Sequence, residues 1–219
     1  MVFSDLMKRF LTATTVVIVG GAWLWVSSIV PIIFIVGLCL LQGISQYEWF
    51  CISRHQSTSF KIIGHFIIFL GFGSWGSLHL VFGVYFTIWV LSLAIISDTA
   101  AYFGGRLIQG PKLCPVISPS KTWAGALTSL AIAPFFPILF NVTLSKSMNV
   151  QWEWLPAVVL VAIGQIGDLI ESAAKRKCSV KDSGIWLPGH GGFLDRLDSA
   201  LAMFIAFDVF ILIIGCFSC

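Results

Sequence analysis

The sequence predicts an all-α fold: a polytopic transmembrane helical bundle of about seven spans with its N-terminus in the cytoplasm. Two observations predict it. The first is composition: 58% of the 219 residues are hydrophobic and only 11% are charged, with a mean hydropathy of +0.94. Soluble domains carry roughly a quarter charged residues, and a single aqueous core of this chain length cannot hide so much apolar surface. Lipid accepts it. The second is that the lysines and arginines fall almost entirely on one side once the apolar runs are counted as spans.

Apolar runs lie at roughly 10–28, 30–50, 62–75, 78–98, 123–142, 154–174 and 194–215, and a span needs about 20 such residues. Lys8 and Arg9 precede the first run as in a signal peptide. No small-x-small cleavage site leads into a polar domain, so the run reads as a retained span. A short turn at 27–31 separates the first two spans, and the third is short and rich in glycine (Gly64, Gly71, Gly73, Gly76). Arg54 and Lys61 follow span two. Arg106, Lys112 and Lys121 follow span four, and Lys175, Arg176, Lys177, Lys181 and Arg196 follow span six. All of these share the side of Lys8 and Arg9, and only Lys146 falls opposite, which places the N-terminus inside and the C-terminus outside. Trp152 and Trp154 fit an outer aromatic belt and Trp123 an inner one. The expected organisation is one integral domain, 1–219. Its N-terminal spans occupy 1–76 and its catalytic spans 77–219, with cytoplasmic loops 99–122 and 175–194.

A net charge of +3, not massed into one patch, signals no nucleic-acid partner. Most of the six cysteines are isolated in apolar runs, where they act as small hydrophobes. Cys216 and Cys219 form a lone C-x-x-C, a weak metal signal.

The two loops carry the chemistry. Asp168 lies about one turn inside the cytoplasmic end of span six, and Asp195 and Asp198 open span seven at a similar depth. Asp195 and Asp198 are three apart and share a helix face; Asp168, Ser172 and Lys175 share another. An ionisable side chain in a span costs several kcal/mol and marks a functional candidate. Three acids at one depth need a counter-charge, either a divalent cation, whose ligands include carboxylates and phosphate oxygens, or salt bridges to Lys175, Arg176 and Arg196. Those bases and Lys181 suit phosphate, although positive-inside anchoring also explains them. Gly189, Gly191 and Gly192 allow turns closed to other residues and can present amides to a phosphate beside the start of span seven. His190 in that turn can bond a phosphate oxygen or move a proton, or stand solvated. In the first loop, Asp98 ends span four at the shared depth, Arg106 follows two glycines, and Ser118 or Ser120 can cap span five or contribute to phosphate binding. Lys121 in that first turn opposes the helix dipole, which favours a phosphate ligand. Asp208, deep in span seven, has no functional reading.

The string Ser172-x-x-Lys175-Arg176-x-x-x-x-Lys181-Asp182-x-Gly184-x-x-Leu187-Pro188-x-His190-Gly191-Gly192-Phe193-x-Asp195-Arg196-Leu197-Asp198 resembles the signature of the phosphatidate cytidylyltransferases, the CDP-diacylglycerol synthases. Ser97-Asp98-Thr99 with its following Ala-Tyr, and Ser118-Pro119-Ser120-Lys121-Thr122, are similar to that family too. Ala174 departs from it, where the family prefers a larger apolar residue, and the chain is shorter than typical members at its N-terminus. The resemblance covers about 90–205.

It implies transfer of CMP from CTP to phosphatidic acid and a homodimeric assembly among membrane lipids; the acids at the inner interface place the active site on the cytoplasmic face, and the compact chain without soluble extensions is expected to be a multi-pass protein of a bacterial inner membrane. It also implies Mg²⁺ held by Asp168 and Asp195, with a second cation left open. The implied catalytic set is Asp168, Asp195, Lys175, Arg176, Lys181, Asp182, Arg196 and Asp198. The implied substrate-binding set is Asp98, Arg106, Ser118, Ser120, Lys121, Ser172, His190, Gly191 and Gly192. Competing readings are a transporter for a phosphorylated solute, disfavoured because the polar residues gather at one interface without a repeat; a CDP-alcohol phosphotransferase, whose acidic motif is missing; and a relative acting on another lipid.

Overall fold

In the computed structural model, the structure describes residues 2–137, 154–189 and 191–217. Helix α1 (Val2–Ile29) meets α2 (Pro31–Ile52) at Val30, whose backbone is extended. Proline disfavours a helical residue before it and suits the first helical position, so Pro31 both ends α1 and starts α2. Helix α3 (Thr58–Leu107) follows, then a two-stranded antiparallel hairpin, β1 (Lys112–Cys114) and β2 (Ser118–Thr122). Beyond it come α4 (Trp123–Ile132), α5 (Trp154–Lys177) and α6 (Leu194–Phe217).

The all-α membrane bundle is as the composition implies. Segments Phe10–Ile29, Pro31–Ser53, Thr58–Leu107 and Ala157–Lys177 are long and apolar enough to cross a membrane. Large apolar side chains such as Val17, Phe66, Val81, Ile95 and Leu212 face outward. In water such a surface would aggregate; in a bilayer it is the lipid face.

Spans three and four form one element, broken once. The 50 residues of α3 would stretch about 75 Å if straight, more than twice a bilayer core of about 30 Å. Gly83, at φ 78°, ψ −173°, interrupts them, in a region glycine enters at little cost. The two halves, 58–82 and 84–107, then run in opposite directions along α6. The first half meets α6 in ascending order: Gly71 abuts Leu201, Trp75 stacks on Phe204 and Phe82 meets Phe207. The second half descends, with Phe86 against Phe207 and Asp98 within charge reach of Arg196. His79 Nδ1 lies 2.8 Å from Thr87 Oγ1 across the break, a contact between residues eight apart that a straight helix would hold about 12 Å apart.

The sequence reading put this division at 76–77, in a Gly-Ser-rich stretch. The chain instead stays helical there and turns at Gly83, because small residues within a buried helix allow close packing without breaking it. Asp208, unexplained by sequence, accepts from Ser77 Oγ at 3.3 Å beside this bend.

The core is aromatic: Phe34, Phe72, Trp75, Phe86, Trp89 and Phe204 are almost fully buried. Helix α5 approaches α6 closely, Gly164 at Met203 and Gly167 at Ala202, with no room for a Cβ at Gly167. Three expectations are corrected. The cap of α4 is Thr122, whose Oγ1 accepts from Gly125 N at 3.1 Å, rather than Ser118 or Ser120, because only Thr122 directly precedes the first helical residue, Trp123. The first loop starts at 108 rather than 99, since α3 continues to Leu107. The second starts after Lys177, where α5 ends. His190, Lys146, Trp152, Cys219 and residues 138–142 of the fifth expected span lie outside the described residues, as do the side chains of Lys8, Arg9, Trp154 and Cys216.

Candidate active site

Four elements converge at one end of the bundle. Helix α5 brings Asp168, Glu171 and Lys175 on one face; α6 brings Asp195 and Asp198 in its first turns; β2 brings Lys121; and α2 brings Glu48. Carboxylate oxygens of Asp168, Glu171 and Asp198 all lie within 4.8 Å of one another. Lys121 forms an ion pair with Asp168 Oδ2, and Ser172 Oγ donates to Asp168 Oδ1 at 3.3 Å. The first loop is thereby tied to α5. Asp198 Oδ1 accepts from Ser199 N at 2.6 Å. Both oxygens of Glu171 are buried, and no hydrogen-bonding geometry satisfies either one, although Lys175 Nζ pairs with Oε2 at 2.7 Å.

Asp195 has a different environment. Its Oδ1 takes Lys175 Nζ at 2.6 Å. Ser183 N donates to both its oxygens, at 3.1 and 2.8 Å, and Gly192 N to Oδ2 at 2.8 Å. Asp195 is therefore not one of the three converging acids. Its oxygens are taken up by the loop before α6 and by Lys175. Lys175 is buried and shared between Glu171 and Asp195, which fixes its ammonium in the wall of the site.

The loop is shaped by glycine where glycine is required. Gly189 and Gly191 have φ of 77° and 83°, and Leu187 N donates to Gly191 O at 2.9 Å to close the turn between them. Asp182 is exposed and lies beside Gly191. Lys181 is exposed as well. Arg176 stitches the two loops together, Nε donating to Ile117 O and Nη1 to Val180 O, each at 3.2 Å. Asp98 and Arg196 are exposed at the rim, with Asp98 in charge reach of Asp168, Lys121 and Arg196. The Ser118 and Ser120 hydroxyls are 3.5 Å apart on β2, just before Lys121. Arg106 is exposed and donates to Tyr102 Oη at 2.8 Å on its own helix.

Two acids of this end were not singled out by sequence. Glu171 is three residues from Asp168 and four from Lys175, so helical spacing alone puts it on their face. Glu48 lies in the second apolar run, read only for its hydropathy. It is 2% exposed and accepts from Phe193 N at 3.0 Å, Leu194 N at 2.9 Å and Ser183 Oγ at 3.1 Å. The cost of burying an acid in a span, the argument that selected Asp168, applies to it equally.

The cytidylyltransferase family model matches residues 2–214. A phosphatidate cytidylyltransferase of Brucella suis is 34% identical over 200 residues, covering 84% of this chain and 69% of the relative. Those of Staphylococcus haemolyticus and Haemophilus influenzae are 42% and 40% identical over 117 and 132 residues, covering 53% and 58% of this chain. The chain spans about half the length of these last two relatives, 45% and 46%. With a match running over nearly its whole length and an acidic site built from the segments that carry the motifs, this chain belongs to the cytidylyltransferase family.

Proposed function

We propose that the chain is a CTP:phosphatidate cytidylyltransferase of a bacterial inner membrane, with its site on the cytoplasmic face. The observation that carries this reading is the convergence of Asp168, Glu171 and Asp198 within 4.8 Å, with Lys121 from the other loop paired to Asp168. Family membership favours nucleotidyl transfer over solute transport.

In the reaction, a phosphate oxygen of phosphatidic acid attacks the α-phosphorus of CTP. The bond from that phosphorus to the bridging oxygen of the β-phosphate breaks, and pyrophosphate leaves with the electron pair. The nucleophile is ionised at neutral pH, so the site needs no strong base. It must bring two anions together and stabilise charge on the leaving group.

The three acids fit a hard divalent cation such as Mg²⁺. They offer oxygen ligands only, and the buried Glu171 carboxylate is met by a single ammonium, that of Lys175. When bound, such an ion would neutralise phosphate charge. Asp195, expected from sequence to share that role, is read instead as the group that holds Lys175 and the loop. Lys121, Arg196 and Lys181 are read as the phosphate-binding bases, arginine bidentately and the lysines as point charges, whereas Arg176 is engaged in holding the two loops together. Gly191 and Gly192 let the loop backbone approach a triphosphate. A homodimer remains part of this reading through the family resemblance.

Purified protein in detergent, given radiolabelled CTP and phosphatidic acid, is expected to send label into the organic phase with Mg²⁺ and to stop when EDTA is added. A folded preparation that labels no lipid, across several divalent metals and phosphorylated lipids, would overturn the reading.

A further inference from the structure

Glu48 belongs to neither loop. It sits near the end of α2, 135 residues before Ser183 and 146 before Leu194. Its carboxylate is nonetheless built into the segment between α5 and α6. Phe193 N and Leu194 N, which no turn of α6 can satisfy, both donate to it. The first amides of a helix lack partners within the helix, and a carboxylate there also meets the positive end of the dipole. The Ser183 hydroxyl donates to the same group from the other end of the loop. Glu48 thus ties the beginning and the end of 183–194 together. The backbone has been fitted to it, since a Cβ on Gly184 or Gly192 would run into its side chain.

The same loop is held from the opposite side by Asp195, which takes Ser183 N and Gly192 N. Ser183 gives its amide to one acid and its hydroxyl to the other. Whatever moves Ser183 or the start of α6 therefore moves Asp195, Lys175 and the Gly191–Gly192 backbone with it. A buried carboxylate is expensive to place in an apolar helix, and this one is held by three donors from the loop. Simple anchoring of α2 would not demand it, because that helix already packs through Phe34, Leu38 and Trp49.

We propose that Glu48 is a positioning residue: it holds the 183–194 loop in the arrangement that receives the triphosphate of CTP, acting through Ser183, Phe193 and Leu194 rather than by touching substrate. The identity of the nucleotide rests on the function proposed above. The consequence is that α2 controls nucleotide affinity in a site whose motifs all lie beyond residue 90.

The test uses the full chain in detergent, with Glu48→Gln as the near-isosteric variant and Ser183→Ala as a milder one. Two readouts need no turnover. Backbone hydrogen exchange of 183–194 is expected to rise at least tenfold in Glu48→Gln while that of 84–107 stays at the wild-type rate. Equilibrium binding of radiolabelled CTP with Mg²⁺ is expected to weaken about tenfold, with phosphatidic acid binding unchanged. Ser183→Ala shows a smaller version of the same pattern. Faster exchange with unchanged CTP affinity would make Glu48 a merely structural group and overturn the proposal, as would unchanged exchange. Turnover separates the two readings. A wild-type chain that binds CTP but transfers nothing to lipid sinks the proposed reaction and leaves the role of Glu48 standing; an active wild type whose Glu48→Gln variant keeps its exchange rates and CTP affinity sinks this inference alone.

Discussion

Two groups of acids, buried or partly buried, stand side by side at the same end of the bundle and differ in what surrounds their oxygens. Asp168, Glu171 and Asp198 face one another, with Lys121, Ser172 and Lys175 at their edges and the Glu171 oxygens without a hydrogen bond. Glu48 and Asp195, by contrast, are filled with backbone amides and the Ser183 hydroxyl. Acids of one kind within one apolar bundle have been given opposite tasks. The trio, met mainly by side chains, is read as available to a cation or to phosphate chemistry, whereas the pair bonded by loop amides shapes the backbone. Burial alone does not separate the two; the donor list does.

The sharpest way to break this contrast is Asp168→Asn. If the converging trio does the chemistry, this change should lower kcat/KM by at least about 100-fold while the protein still inserts and unfolds at the wild-type temperature. Wild-type activity in that variant would remove the trio from the mechanism. Asp195→Asn probes the other group. It strands Lys175 on Glu171 alone, and disrupting one partner of a buried pair costs about 3 kcal/mol. The expected result is a lower unfolding midpoint in detergent together with a partial loss of activity, and a variant as stable as wild type but wholly inactive would place Asp195 with the trio. Smallest is Arg106→Ala. Arg106 is exposed and bonded to Tyr102, so kcat/KM is expected to stay within about twofold and stability within about 0.5 kcal/mol. A tenfold rise in KM for CTP would put Arg106 back among the phosphate ligands.

The same contrast explains what could be read without coordinates. Asp168, Asp198 and Lys121 were legible because a charge at a fixed depth in an apolar run is costly wherever its partners lie, and because their motifs stand in the two polar loops. The bundle was legible from hydropathy for the same reason. The division of labour between Asp195 and Asp198 was not, since both lie on one helix face and only the path of the loop decides which of them its amides reach. Glu171 was within reach of helical spacing. Glu48 lay hidden in a segment whose apolar neighbours drew the reading to its length instead of its one acid. The turn at Gly83 was misplaced because a glycine says where a reversal is allowed, while the packing of Trp75, Phe82 and Phe86 against α6 says where it happens. The β1–β2 hairpin left too short a pattern to separate from a loop.

The bend at Gly83 also sets an angular phase. From that glycine the second half of α3 runs 15 residues to Asp98, about 22 Å at 1.5 Å per residue, with its starting azimuth fixed by the His79–Thr87 contact and by Phe86 against α6. A single residue inserted just after Gly83 would advance Asp98 by only about 1.5 Å but swing it about 100° around the helix axis. The rim of the active site is thus indexed like the far end of a crankshaft, from a pivot at the opposite end of the helix.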